Sequence, residues 1–254
     1  MGSIKEAIVL AGGFGTRLKS VVKDLPKPLA EVSGRPFLHY VLDNLRDGGV
    51  EKTLLSVGYM HNRVIDAIGT EFRGMEIDYV IEDAPLGTGG AIREALKLAR
   101  SKDVVVVNGD SILLGALNPM SCFHHDEMAS ITIAVKYVPD TARYGAVTIN
   151  GGRLELFGEK NTVGPGYINT GVYIIDRRRA EVMDIHLDSF SFERDFLMKN
   201  PRGVFAFKTD AYFIDIGVPE DYLRAEDELV FQINGGSNDN LAYPAQDILF
   251  RRRH

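Results

Sequence analysis

The chain has 254 residues, 45% hydrophobic and 25% charged, with a formal net charge of −6 and one cysteine, Cys122. That length can bury a full core in one large α/β domain, and the composition excludes a fibrous, disordered or membrane-spanning chain, because no apolar stretch is long enough for a bilayer. The negative balance argues against a nucleic-acid polymer as partner. A lone cysteine allows no internal disulfide, so a reducing, cytoplasmic setting is expected, with no cleavable leader read at the start.

The first predicted strand, Ala7-Ile8-Val9-Leu10, empties into Ala11, Gly12, Gly13, Phe14, Gly15, Thr16 and Arg17. Bare backbone N–H groups in such a loop, with Arg17 and Lys27 as nearby positive charges, suit the phosphates of a nucleoside triphosphate. A dinucleotide fingerprint would need a glycine where Leu18 stands, and no G-x-x-x-x-G-K-[ST] run occurs, so both of those phosphate motifs fail. Phe37, Tyr40, Val41 and Leu45 then repeat at helical spacing between Pro36 and Gly48-Gly49, and Ile92, Ala95, Leu96 and Ala99 do the same further on. Strands are predicted over 53–57, 76–81 and 103–107. Alternation of this kind predicts mainly parallel strands with helices on both faces, and places ligands beyond the carboxyl ends of the strands. The glycine loop and Asn108-Gly109-Asp110 are therefore expected on one rim.

Beyond Ala129 the pattern changes. A strand over 130–138 is followed by a hairpin, 144–149 against 153–157 across Asn150-Gly151-Gly152. Strands over 167–175 and 204–208 bracket a helical segment near 191–199. A strand over 212–216 and a helix opened by Pro219 close the pattern. The whole reads as one domain over 1–234, with a nucleotide part near 1–128 and a sugar-binding insertion or lid near 129–234 that completes the same sheet. Residues 235–254 read as a polar linker and a solvated arginine-rich tail. No short repeat is present, so no β-helix domain is expected.

Asp110 follows four consecutive valines and Asp215 lies within Phe213-Ile214-Asp215-Ile216; the alternative for such an acid is a turn or a cap. Two carboxylates so placed suggest Mg²⁺, which one or two carboxylates and substrate phosphates can hold, provided the fold brings them together. Lys160 suits a phosphate, and Asn169 with Thr170 suits sugar hydroxyls. Tyr144-Gly145 and Gly87-Thr88-Gly89-Gly90 read as points of close backbone approach, with hairpin packing the other reading of Tyr144. His124 and His125 are expected at the surface, because adjacent helical residues diverge and no second ligand cluster accompanies them. Cys122 has no strand-end elbow and no catalytic reading.

Taken together, Gly-Gly-Phe-Gly-Thr-Arg (12–17), Pro-Lys-Pro (26–28), Leu-Gly-Thr-Gly-Gly-Ala (86–91), Asn-Gly-Asp (108–110), Glu-Lys (159–160), Asn-Thr-Gly (169–171) and Asp-Ile-Gly-Val-Pro-Glu-Asp-Tyr (215–222) make the chain resemble the sugar nucleotidyltransferases over residues 7–223. Within them it is most similar to the heptose 1-phosphate guanylyltransferase branch, through 19–28, 191–197 and 212–222. The thymidylyl branch usually reads Ser-Lys-Gln where Pro26-Lys27-Pro28 stands. The resemblance implies a Rossmann-like three-layer α/β fold with a mixed, mostly parallel sheet. It also implies GTP and a sugar 1-phosphate as reactants and Mg²⁺ on Asp110 and Asp215, and it leaves a homo-oligomer open. Arg17 and the loop around Gly12, Gly13, Gly15 and Thr16 would hold the β- and γ-phosphates, Lys27 the α-phosphate, and Lys160 the attacking phosphate. The base would lie against Leu10, Ala11 and Gly12, with Glu82, Gly87 and Thr88 nearby. The sugar would meet Tyr144, Gly145, Glu159, Asn169 and Thr170. A mannose 1-phosphate enzyme, another nucleotide, or a non-catalytic nucleotide-sugar sensor are the competing readings.

Overall fold

Period-two alternation sends Ala7 and Val9 of β1 (Glu6–Leu10) to one face of a sheet and Ile8 to the other, and all three are fully buried. A strand hydrophobic on both faces needs a layer of helices on each side. The computed structural model describes residues 3–13, 25–158, 163–179, 182, 185–200 and 203–235. Arg17, Gly15, Thr16, Glu159 and Lys160 lie outside the described residues.

In chain order the other strands are β2 (Glu31–Val32), β3 (Arg35–Pro36), β4 (Lys52–Val57), β5 (Glu71–Phe72), β6 (Met75–Ile81), β7 (Asp103–Asn108), β8 (Ser111–Leu113), β9 (Ile131–Val138), β10 (Ala146–Asn150), β11 (Arg153–Phe157), β12 (Gly166–Asp176), β13 (Val204–Lys208) and β14 (Phe213–Asp215). The α-helices are α1 (Phe37–Asp47), α2 (His61–Ile68), α3 (Gly87–Leu98), α4 (Leu117–Asp126) and α5 (Pro219–Ile233). The main sheet runs β10-β11-β13-β9-β12-β7-β1-β4-β6-β5. Its pairings give seven of the ten strands one direction, with β5, β11 and β12 opposed, so the sheet is mixed and mostly parallel, as expected. Residues of α1, α2, α4 and α5 pack with Ala7, Val9, Val105 and Val107 on one face. Residues of α3 and of a π-helical segment, Phe192–Leu197, pack with Ile8, Val104 and Val106 on the other.

Two expectations need correction. The strand predicted over 212–216 was to complete the main sheet, but β14 pairs with β8 in a separate two-stranded ribbon, Asp215 opposite Ser111. The reason is occupancy: β7, which leads into β8, already has β1 on one edge and β12 on the other. The hairpin strand predicted from Tyr144 begins instead at Ala146, because the N–H groups of Tyr144 and Gly145 both donate to the Thr141 carbonyl and form a turn.

The start of α3 is welded to the segment before Phe192. Gly89 N donates to the Phe190 carbonyl and Phe190 N to the Leu86 carbonyl, at 2.9 and 3.0 Å. Gly87 sits at φ +68°, and a Cβ there would lie 2.5 Å from the Phe190 carbonyl oxygen. Gly87→Ala is therefore expected to cost about 1–3 kcal/mol from backbone strain and overpacking. Calorimetry should register this as a fall in Tm of about 2–4 °C per kcal/mol; an unchanged Tm would show that the contact is slack.

Candidate active site

Parallel strands end their carbonyl-terminated edges on one rim, and here that rim is a cleft of about 670 Å³. Leu10, Gly12, Gly13, Glu82, Gly87, Thr88 and Asp110 all line it. Gly109 N donates to the Leu10 carbonyl at 2.9 Å, so the glycine loop and the Asn108–Asp110 turn share the rim as the alternation predicts. Ala11 lies beneath, 2% exposed, with its N–H given to the Ser56 carbonyl. A Cβ on Gly12 would stand 2.8 Å from Glu82 Oε1, so a side chain here would displace the Glu82 carboxylate. That carboxylate is braced: Oε1 accepts from the Ser56 hydroxyl at 2.8 Å and Oε2 from Leu86 N at 3.3 Å. Each oxygen keeps a lone pair for a ligand.

At the far end of the cleft, Lys27 brings the two distant acids together. Its ammonium donates to Asp110 Oδ2 and stands 3.9 Å from Asp215 Oδ1, with the lysine side chain only 13% exposed. The β8–β14 ribbon fixes the approach from the backbone side, since Ile216 N donates to the Asp110 carbonyl at 2.9 Å. Gly217 N holds Asp215 Oδ1 at 2.6 Å. Burial pushes the Asp215 carboxyl above its ordinary range, and the charge on Asp110 pushes it the same way against the pull of Lys27 and Arg143. Two hard oxygen ligands crowded around one cation are a donor set that suits Mg²⁺. Among the described residues no group of three or more His, Cys, Asp or Glu could hold a metal by itself, so phosphate oxygens would have to complete the shell.

The residues expected to meet a sugar separate. Asn169 and Thr170 are neighbours on β12, and neighbours on a strand face opposite ways. Thr170 is 1% exposed and its hydroxyl donates to the Ala134 carbonyl at 2.9 Å, so its side chain belongs to the interior. Asn169 stays partly exposed, beside a register shift in the β12–β9 pairing that follows it. Tyr144 packs edge-on against Phe213, ring centroids 5.9 Å apart, which matches its packing reading; Gly145 is the left-handed residue of the turn, φ +85°. Thr88 reaches the cleft wall, but its hydroxyl is committed to Phe192 N and Glu193.

Four contributors escape the sequence reading. Arg143 donates to the Asp215 carbonyl oxygen at 3.1 Å, lies over the Tyr144 ring and pairs with Asp221, a buried acid in the first turn of α5. Glu193 accepts from Tyr173, Thr88 and Ser191. Tyr59 and His61 line the cleft, with Tyr59 45% exposed. Arg143 carried a signal, a cation next to the close-approach pair Tyr144-Gly145, and Glu193 lies within the 191–197 match, though no role was assigned to it there.

The Nucleotidyl transferase family model matches residues 6–230. A D-glycero-alpha-D-manno-heptose 1-phosphate guanylyltransferase from Aneurinibacillus thermoaerophilus is 42% identical over 226 residues, 88% of this chain and 98% of that protein. The protein of that name from Campylobacter jejuni is 39% identical over 220 residues, 85% of this chain and 96% of its own. Among solved structures, HddC from Yersinia pseudotuberculosis complexed with GMP-PN aligns with a TM-score of 0.78 at 38% identity, covering 89% of this chain and 100% of that one.

The histidine pair, at the opposite end of the sheet, corrects another expectation. His124 is 2% exposed, because Leu117, Met120, Ser121 and His124 form the buried stripe of α4. Its Nδ1 meets Thr132 Oγ1 at 2.8 Å, while His125 Nε2 lies 3.0 Å from Asp103 Oδ2. Burial would raise the Asp103 carboxyl, but the imidazoles of His124 and His125 and the Lys102 ammonium more than reverse this, bringing it from 3.8 to about 2. A carboxyl depressed in the fold adds stability that is complete above its unfolded value and is lost as pH falls through its folded one. Asp103→Asn is accordingly expected to lower Tm at neutral pH and to flatten the loss of Tm between about pH 4 and pH 2; parallel Tm–pH curves for the two proteins would contradict this.

Proposed function

We propose that this chain, which belongs to the nucleotidyl transferase family, transfers GMP from GTP to D-glycero-α-D-manno-heptose 1-phosphate, giving GDP-heptose and pyrophosphate. The observation that carries the reading is the Lys27 ammonium set against Asp110 and Asp215 at the end of a glycine-lined cleft. The names of the two guanylyltransferase relatives and the nucleotide analogue named with HddC support GTP and the heptose phosphate as the reactants.

The chemistry asks little of an acid–base pair. A sugar phosphate has its second pKa at about 6 and is largely dianionic at neutral pH, so its own oxygen attacks the α-phosphorus of GTP. The α–β bridging bond breaks and pyrophosphate leaves with the electron pair. Catalysis then consists of alignment and charge neutralisation. The N–H groups around Gly12, Gly13, Gly15 and Thr16, with Arg17, hold the β- and γ-phosphates. Lys27 neutralises charge on the α-phosphate, and Lys160 draws in the attacking phosphate. Asp110 and Asp215 would hold Mg²⁺, which supplies positive charge to the phosphate oxygens. The base lies against Leu10 and Gly12, with Glu82 accepting from the guanine N1–H and amino group. Gly87 and Thr88 form the wall beside it. Tyr144, Gly145, Glu159 and Asn169 face the sugar. Thr170 contributes from within the strand, not through its hydroxyl. We place the reaction in the cytoplasm; none of the described helices is long and apolar enough to cross a membrane.

Initial rates with each nucleoside triphosphate against heptose, mannose and glucose 1-phosphates are expected to give the highest kcat/KM for GTP with the heptose phosphate. A higher value with mannose 1-phosphate would reassign the sugar, and no turnover with GTP would reject the nucleotide. Asp110→Asn is expected to cut kcat at least about 100-fold with the fold intact by circular dichroism, as loss of a transition-state charge contact does. Lys27→Ala should behave alike, and an effect confined to the sugar KM would move Lys27 away from the α-phosphate.

A further inference from the structure

A line of hydrogen bonds crosses the molecule from the nucleotide wall to the sugar side, with Glu193 at its centre. Glu193 Oε2 receives the hydroxyls of Thr88, at the start of α3, and of Ser191, at 3.1 and 3.0 Å. Its Oε1 receives the hydroxyl of Tyr173, on β12, at 2.8 Å. Tyr173 is fully buried and burial holds its phenol neutral, so it has one proton to give. That proton must go to Glu193, because a carboxylate only accepts. The oxygen of Tyr173 is thereby left as an acceptor for Asn169 Nδ2, at 2.6 Å. An independent contact agrees, since Gly171 N donates to Asn169 Oδ1 at 2.9 Å. The carboxamide of Asn169 can sit only one way round. One amide N–H and one lone pair of Oδ1 stay available for a ligand.

Asn169 stands where a sugar would meet it. The Thr170 carbonyl accepts from Ser111 Oγ in the rim segment after Asp110, and Ile168 pairs with Ala146 just beyond the Tyr144-Gly145 turn. We propose that Glu193 is a positioning residue for sugar recognition: through Tyr173 it fixes the orientation of the Asn169 carboxamide that meets the sugar hydroxyls, while through Thr88 it ties that setting to the nucleotide wall. This rests on the transferase reading above. A carboxylate is needed at 193, because three hydroxyl protons converge there and the amide nitrogen of Gln would oppose one of them.

Glu193→Gln keeps size and breaks the direction of the line, and Tyr173→Phe removes one oxygen from it. With GTP and heptose 1-phosphate, each variant is expected to raise the KM for the sugar phosphate about tenfold, with kcat and the KM for GTP within about threefold of wild type. The double variant should be no worse than the poorer single one, because both cut the same line. Equal rises in both KM values that follow a fall in Tm would make Glu193 a structural brace and overturn the proposal. An unmoved sugar KM in both variants, beside an active wild type, would overturn it alone. An inactive wild type would overturn the transferase reading and this inference with it.

Discussion

One largely enclosed ammonium, that of Lys27, holds this site together. Asp110 and Asp215 are 105 positions apart in the chain (215 minus 110), and two carboxylates brought close repel each other in a poorly solvated place. Lys27 lies against both and Arg143 lies against the second, so the local charge approaches balance with protein groups alone. The rest of the architecture serves that convergence. The ribbon of β8 and β14 exists outside the main sheet to carry the two acids past each other, and Gly217 leaves room for the Asp215 carboxylate and the lysine. In the proposed reaction a phosphate entering the cleft would meet a lysine already held in place by two carboxylates, which is how electrostatic preorganisation lowers the cost of reaction.

The two walls of the cleft are built differently. Along the glycine-lined cleft, Gly12 and Gly87 bring backbone close to Glu82 and Phe190, where a Cβ would collide. Around Asn169 the order comes from side chains held by other side chains, Asn169 by Tyr173 and Tyr173 by Glu193. In the proposed reaction, rigid backbone would suit the triphosphate, whose phosphates are alike in every nucleotide. Side-chain networks suit a ligand whose identity lies in the arrangement of its hydroxyls, because leaving a buried polar partner unmet is costly.

Much of this was legible from residue order because it depended on local chemistry. The glycine loop after β1, the acid after the valine run of β7 and the acid inside Phe213–Ile216 each sit where apolar strands end or break pattern, and nothing about a core explains them. The illegible parts depended on parity and partnership. Strand alternation turns Thr170 inward beside Asn169, and helical periodicity sets His124 on the buried stripe of α4, so both placements follow from a period present in the sequence and not from residue type. Glu193 lies within the 191–197 match, but periodicity says nothing of its task. An acid in the first turn of a short helix resembles a capping residue, and only the placement of Tyr173 and Thr88 from two other elements gives it another task.

The order in which the parts of the centre lie along the chain has a consequence for biosynthesis. Lys27 and Asp110 come from the first half, Arg143 from the turn before β10, and Asp215 and Asp221 from either side of the start of α5. A polypeptide emerging from the ribosome N-terminus first can form β1, β4 and β6 early, since these pair with one another. Its lysine and first aspartate must then wait for nearly the whole translation before their second aspartate arrives. Until residue 215 has been added, the growing chain holds Lys27 and Asp110 without their second acid, and any chain terminated before it lacks that acid altogether.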